Sequence, residues 1–170
     1  METVVSTFAS SLAAHDASLT RATAAETPAV LDDLLETPAV GVALDSVGVD
    51  LADLETDVNT DPTTEALFSA ASGVTPAAWG IADYGSVVLQ GTEDGEEPIS
   101  LYPEHHVAVL AESDVHQSMA DAIDRIAAAV RDGNRSHIVA TGPSATADMG
   151  ELVLGAHGPK AVDVVVVTDR

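Results

Sequence analysis

The chain has 170 residues, with 28 acidic and six basic side chains, a formal charge of −22 and no cysteine. This length suits one domain with a hydrophobic core, and periodic apolar runs argue against disorder. The charge repels nucleic-acid phosphates and anionic membranes, so we expect neither as a partner. The lack of cysteine excludes disulfides, thiolate-held iron–sulfur clusters and Cys-type zinc sites from these residues.

Abundant Asp and Glu, a single lysine (Lys160) and many small apolar residues indicate a protein adapted to concentrated salt. We predict the cytoplasm of a halophilic archaeon, since the chain begins Met1-Glu2 without a basic leader and no apolar run is long enough to span a membrane.

Removing salt is expected to lower the melting temperature of the protein. At roughly 1 M salt the Debye length is about 3 Å, so self-repulsion that loosens the fold in dilute buffer is screened. Thermal unfolding measured across a KCl series checks this, and an unchanged melting temperature in dilute buffer contradicts it.

The first seventy residues predict three helices, over 1–17, after Thr27-Pro28 and after Asp61-Pro62. Strands are predicted at "SLTRAT" and 38–44, and a loop with a short element at 45–60.

The rest of the chain predicts five strands, at Ser86–Leu89, Ile99–Leu101, Val107–Ala111, 137–140 and 161–168. One helix carries Met119, Ile123, Ile126 and Val130 on one face and ends at Gly133, and another is predicted near 146–154. Runs such as "VDVVVV" suit a strand covered on both faces. The fold class is therefore α/β, a Rossmann-like and mostly parallel sheet flanked by helices.

The best candidate site is the corner after strand 137–140. Ligands of open α/β sheets bind beyond the carboxyl ends of strands, and a helix start there would favour an anion. Gly142 would admit a close approach, while Ser144 and Thr146 offer hydroxyl groups. The alternative is a local helix cap, since Asp148 and Glu151 have capping-box spacing.

Two further clusters also carry a functional and a structural interpretation. His157 suits an acid, base or anion contact, or else it forms a helix C-cap before the Gly158-Pro159 turn. Asp83, between Trp79 and Tyr84, suits a pocket wall, or else a β-turn.

Metal and triad chemistry have weaker support. His105 and His106 are adjacent on a strand and point to opposite faces, so one metal rarely takes both, and we predict no metal site. A Ser144–His157–Asp triad lacks a nucleophile elbow.

Three stretches, "GIADYGSVVL", "PEHHVAVL" and "TGPSATADMGELVLGAHGP", closely resemble the lactate-utilisation protein C family, the LUD domain. The resemblance covers 73–168 well, and 1–70 only in size and helix content, within a single domain of 1–170. Met149 and Gly150 stand where Ile-Glu is more usual, and the stretch is one residue shorter, which makes Glu151 the candidate replacement for that Glu.

The resemblance implies the fold shared by ribose-phosphate isomerases and CoA transferases (NagB/RpiA/CoA-transferase-like). It also implies oxidation of lactate to pyruvate with iron–sulfur partner proteins, and no cofactor in this chain. His157 and Asp148 become catalytic candidates. His106 also matches a position of the family pattern. Ligand-binding candidates are Asp83, Gly85, Ser86, Thr141, Gly142, Ser144, Thr146 and Gly158.

The chain is thus predicted to be a cytoplasmic subunit or accessory protein of a lactate dehydrogenase complex, binding a small carboxylate or phosphate. The alternatives are a stand-alone enzyme on a sugar phosphate or CoA thioester, by fold analogy alone, and a non-catalytic regulatory or scaffold module. Whether the protein forms a homo-oligomer stays open.

Overall fold

A computed structural model describes residues 3–148, 151–155 and 157–170, with the backbone alone for 147–148 and 151–152. Its five α-helices are α1 (Val4–Ala13), α2 (Thr27–Leu34), α3 (Thr64–Ser69), α4 (Glu96–Leu101) and α5 (Met119–Arg131). No helix in the described part of the chain is long and apolar enough to cross a membrane.

A six-stranded parallel sheet forms the centre of the molecule, in the order β1-β12-β7-β4-β2-β3. Its strands are β1 (Ser18–Ala22), β2 (Ala39–Gly41), β3 (Val58–Asn59), β4 (Ser72–Pro76), β7 (His105–Ala111) and β12 (Ala161–Val167). The predicted α/β class with a mostly parallel sheet is confirmed.

The sheet is buried on both faces because alternate residues of its valine-rich strands point to opposite sides. Val164 and Val166 pack with Phe8 and Leu12 of α1. On the other face Val165 packs with Leu31 of α2. Both valine faces are fully buried, which explains the continuous apolar run.

A second, four-stranded sheet lies beyond α1, in the order β8-β5-β6-β9. Its strands are β5 (Trp79–Ile81), β6 (Ser86–Gln90), β8 (Val115–His116) and β9 (His137–Thr141). β9 pairs antiparallel with β6 at the edge of this sheet, so it is not a strand of the central parallel sheet.

The predicted strand at Ile99–Leu101 is wrong, because these residues end helix α4. Pro98 lies in the first turn of that helix, where its missing N–H costs nothing, and Glu96 and Glu97 complement the positive helix end. The cap signals before α2 and α3 identified real helices, although the helices begin at Thr27 and Thr64 with Glu26 and Thr63 at the N-caps.

Helix α5 has the predicted amphipathic pattern and the predicted Gly133 just after its C-cap. Its four marked apolar residues do not share one buried face, however. Met119 and Ile126 pack against Ile81 and Val88 of the second sheet, whereas Ile123 and Val130 are exposed.

Candidate functional site

The segment after Thr141 does not form the helix predicted near 146–154. It forms a hairpin of β10 (Ala145–Asp148) and β11 (Glu151–Leu154), in which Thr146 lies opposite Val153. Both residues are β-branched and fit a pleated surface better than a helix. The helix-start argument for an anion and the capping-box alternative are therefore both wrong for this loop.

The predicted position of the corner is also wrong. Thr141 ends an edge strand of the second sheet, so the loop does not lie beyond a carboxyl end of the central parallel sheet. The Ser144 N–H instead donates to the Pro159 carbonyl oxygen at 2.8 Å, next to the start of β12. The loop therefore lies against the amino end of the central sheet.

Ser144 joins the hairpin to the 157–159 turn. The N–H of His157 donates to Ser144 Oγ at 3.3 Å, and the N–H of Gly155 donates to the Ser144 carbonyl oxygen at 2.8 Å. A Cβ on Gly158 would lie 3.2 Å from the Ser144 Cβ. The structure thus brings together three predicted site residues, and the His157 residue is exposed.

Thr141 and Gly142 connect this loop to the second sheet and to the end of α1. The hydroxyl groups of Thr141 and the fully buried Ser86 lie 2.7 Å apart, across the β6–β9 pair. Gly142 has a φ of +63°, and a Cβ there would clash with the His15 carbonyl oxygen. A glycine is therefore required for the loop to approach α1.

Asp83 and Gly85 make their contacts elsewhere. The Asp83 N–H donates to the Gln117 carbonyl oxygen at 3.0 Å, and its carboxylate accepts from the Gln117 side chain. Gly85 packs against the backbone of α1. Of the predicted ligand-binding residues Asp83, Gly85 and Ser86, Ser86 thus bonds to Thr141 at the start of the loop, among the side chains that the structure describes. Thr146 is half-buried in β10, and the Asp148 side chain lies outside the described part of the chain.

A cavity of about 440 Å³ opens between the end of α1 and this loop. Lys160, the single lysine of the chain, lines it, and its Nζ bonds the Glu104 carboxylate at 2.5 Å. The cavity is lined by Ala14, His15, Asp16, Thr141, Pro143, Ala145, Leu154, Lys160 and Ala161. We call it the Lys160 cavity.

A second cavity, of about 480 Å³, was missed by sequence reasoning. It lies beyond the carboxyl ends of β2, β4 and β7, the usual ligand position of an open α/β sheet. Its polar and aromatic lining residues are Asp45, Ser46, Trp79, Gln90, Thr92, Asp94, Glu96 and Asp114. Four carboxylates disfavour an anionic ligand here, whereas the Lys160 cavity has one carboxylate, Asp16, and one lysine in its lining, so it disfavours a carboxylate ligand less.

A polar network crosses the amino ends of four parallel strands. His105 Nε2 lies 2.6 Å from Asp163 Oδ2, Ser18 Oγ donates to the other carboxylate oxygen, and Ser72 Oγ lies 3.5 Å from His105 Nδ1. The hydrogen bond from His105, with that from Ser18, holds the pKa of Asp163 below its usual value. Ser72 is fully buried, which keeps it from acting as a nucleophile.

His106 points to the opposite face from His105, as predicted for adjacent strand residues. Its Nε2 lies 2.9 Å from Thr75 Oγ1, and burial, assisted by the charge of His105, lowers its pKa from 6.5 to about 4. The described residues contain no group of three or more side chains placed to bind a metal ion.

Residues 45–167 match the LUD domain. The chain belongs to the LUD domain family. Among curated relatives, lactate utilization protein C of Deinococcus radiodurans is 36% identical over 97 residues, covering 55% of this chain and 45% of that protein. Lactate utilization protein C of Bacillus subtilis is 33% identical over 104 residues, 58% of this chain and 42% of that protein.

The aligned part of this LUD domain spans less than half of the length of those relatives. A crystal structure of a DUF162 family protein from Deinococcus radiodurans matches with a TM-score of 0.72 and 24% identity, covering 96% of both chains. Because this similarity covers 96% of the chain, the shared fold includes most of residues 3–44, which the LUD match leaves out.

Proposed function

We propose that this LUD domain acts in lactate utilisation, as a cytoplasmic component of a system that oxidises lactate to pyruvate. The observation that carries the proposal is the family itself, whose aligned relatives are named lactate utilization protein C. Oxidation of lactate to pyruvate releases two electrons and two protons. The proposed electron acceptors are iron–sulfur proteins, the partners that the family resemblance implies, since these 170 residues contain no cysteine to hold a thiolate-bound cluster.

The Lys160 cavity is the proposed binding site for the small carboxylate. Lys160 is the cation placed to pair with the ligand, which would share the Nζ with the Glu104 carboxylate. Thr141 at the same cavity offers a hydroxyl donor when the Ser86 hydroxyl donates to it. His157 does not line the cavity; it lies three residues before Lys160, on the segment bonded to Ser144. Its exposed side chain is proposed to accept the proton of the lactate hydroxyl. Ser144 acts as a positioning residue, because its hydroxyl fixes the His157 backbone.

Deleting the gene is expected to abolish lactate-dependent dye reduction in lysates of lactate-grown cells, assayed in molar KCl. The wild-type gene should restore the activity, whereas genes carrying Ser144→Ala or His157→Ala should restore much less. Unchanged activity in the deletion strain contradicts the role in lactate oxidation. Full rescue by both variants would contradict the assigned residues and leave that role standing.

Lys160→Gln is expected to weaken binding of lactate or pyruvate by the purified chain about 10- to 150-fold, since a charge-assisted hydrogen bond contributes about 1.5–3 kcal/mol. Titration calorimetry with each acid measures this.

Arg21→Gln is the matched control, because Arg21 is equally exposed and pairs with Glu112 at 2.6 Å, far from the cavity. If both substitutions weakened ligand binding equally, the cause would be the general loss of one positive charge and not a binding site at Lys160.

A further inference from the structure

Helix α5 carries a second apolar stripe that the described part of the chain leaves uncovered. Ile123, Ala127 and Val130 are spaced i, i+4 and i+7 and so lie on one helix face. Ile123 is 55% exposed and Val130 is 41% exposed. The inner stripe of the same helix, which includes Ala122 and Ile126, already packs on the second sheet. The outer stripe is therefore available to another molecule.

A further exposed apolar residue lies on the face of the second sheet that α5 covers. Val139 lies opposite Val88 in the β6–β9 register, so its side chain leaves the sheet on the face that α5 covers. Val139 is 42% exposed on an edge strand. Several exposed apolar residues on one side of the second sheet, in so acidic a chain, indicate an interaction surface.

We propose that this surface binds the same surface of a second copy of the chain, with the two α5 helices antiparallel. In an antiparallel pair centred near Ala127, Ile123 faces the partner's Val130, and the reverse contact follows from the two-fold axis. Ala127 lies next to the axis, where a small side chain lets the helices approach closely. The outer stripe is thus complementary to itself.

The charges beside the stripe fit the same arrangement. Asp124 and Arg131 lie on one flank of the outer stripe, seven residues and about 10 Å apart along the helix, so they do not pair within one chain. Reversing the second helix brings Asp124 next to the partner's Arg131 at both ends of the contact. The antiparallel dimer therefore forms two Asp124–Arg131 ion pairs, one at each end of the contact.

Cations are also concentrated on this side of the molecule. Arg125, Arg131 and Arg135, half of the six basic residues, lie on α5 or just after it. Asp121, Asp124 and Asp132 balance these arginines, so the segment is close to neutral and two chains of charge −22 repel each other less here than at an acidic surface. At roughly 1 M salt, with a Debye length of about 3 Å, the remaining repulsion is screened while the apolar contact persists. Association should tighten as salt rises.

Single-cysteine variants test the geometry directly, because the natural chain has no cysteine to form a background disulfide. Ala127→Cys is expected to form disulfide-linked dimers under mild oxidation in molar KCl. Ala128→Cys, about 100° further round the helix, should not. A mixture of Ile123→Cys and Val130→Cys chains should cross-link to each other more than Ile123→Cys chains cross-link among themselves. Equal cross-linking at 127 and 128 would overturn the proposal.

Sedimentation equilibrium of the full chain in molar KCl tests the affinity. The wild type is expected to dimerise, and Ile123→Asp should raise the dissociation constant at least tenfold. Ala128→Asp is the control, since it adds the same charge to the same helix at an exposed position outside the stripe. A wild-type chain that stays monomeric would overturn the proposal and leave the surface to a different protein. An Ile123→Asp variant that dimerises like the wild type would also overturn the proposal.

Discussion

Replacing Gly85 with alanine is expected to destabilise the fold by about 3 kcal/mol or more. A Cβ at this position would lie 2.5 Å from the Ser11 carbonyl carbon and 2.6 Å from the Leu12 nitrogen, inside the backbone of α1. Gly85 also has a φ of +60°, so backbone strain of about 1–2 kcal/mol adds to overpacking of about 1–3 kcal/mol. Denaturant unfolding in molar KCl measures the loss.

Gly133→Ala separates these two causes. Gly133 also has a positive φ, +106°, but a Cβ there meets nothing within 4 Å. This variant should therefore lose about 1–2 kcal/mol, the strain alone. If both variants lose the same amount, the close approach of α1 to Gly85 is not what restricts this position. The predicted ligand-binding role of Gly85 thus competes with a packing role that already requires glycine.

The stability of the protein is expected to fall by about 3 kcal/mol between pH 6.5 and pH 4 because of His106 alone. In the unfolded chain this histidine binds a proton near pH 6.5, whereas in the folded chain its pKa is about 4 because the ring is fully buried. The stability is complete above pH 6.5 and is lost as the pH falls through that window. Unfolding free energies measured in molar KCl check the slope.

His106→Gln isolates this contribution, since glutamine keeps a polar partner for Thr75 and does not titrate. Protonation of the many surface carboxylates affects both proteins, so the difference between them reports His106. The variant should lose about 3 kcal/mol less than the wild type over the same window. Parallel pH profiles would contradict the buried, neutral state of His106.

Local signals explain what sequence reasoning predicted well. The valine run of β12, the amphipathic pattern of α5 and the capping residues act through neighbours in the chain, so they can be identified without knowledge of the fold. The strands at 86–90, 105–111 and 137–141 follow from the same reasoning. The family resemblance over 73–168 agrees with the match over 45–167.

The errors arose where local pattern and tertiary context disagree. The stretch "ELVL" (151–154) begins at the second residue of a capping-box spacing, which predicts a helix. In the structure Val153 instead pairs with Thr146 across a hairpin. "ISL" has strand-like residues, but Pro98 and the acidic first turn place it in α4. Neither stretch is long enough for its own periodicity to decide between helix and strand.

The sequence by itself determined the α/β class, the acidic surface, the lack of thiolate chemistry in this chain and the membership of a family, because each depends on residue type and local order. Only the tertiary structure decided that β9 belongs to the second sheet and that Lys160 meets Thr141 at one cavity. It also decided which α5 stripe is buried. Strand order and helix orientation depend on contacts between residues far apart in the chain. A local sequence pattern does not show which of those distant residues are in contact.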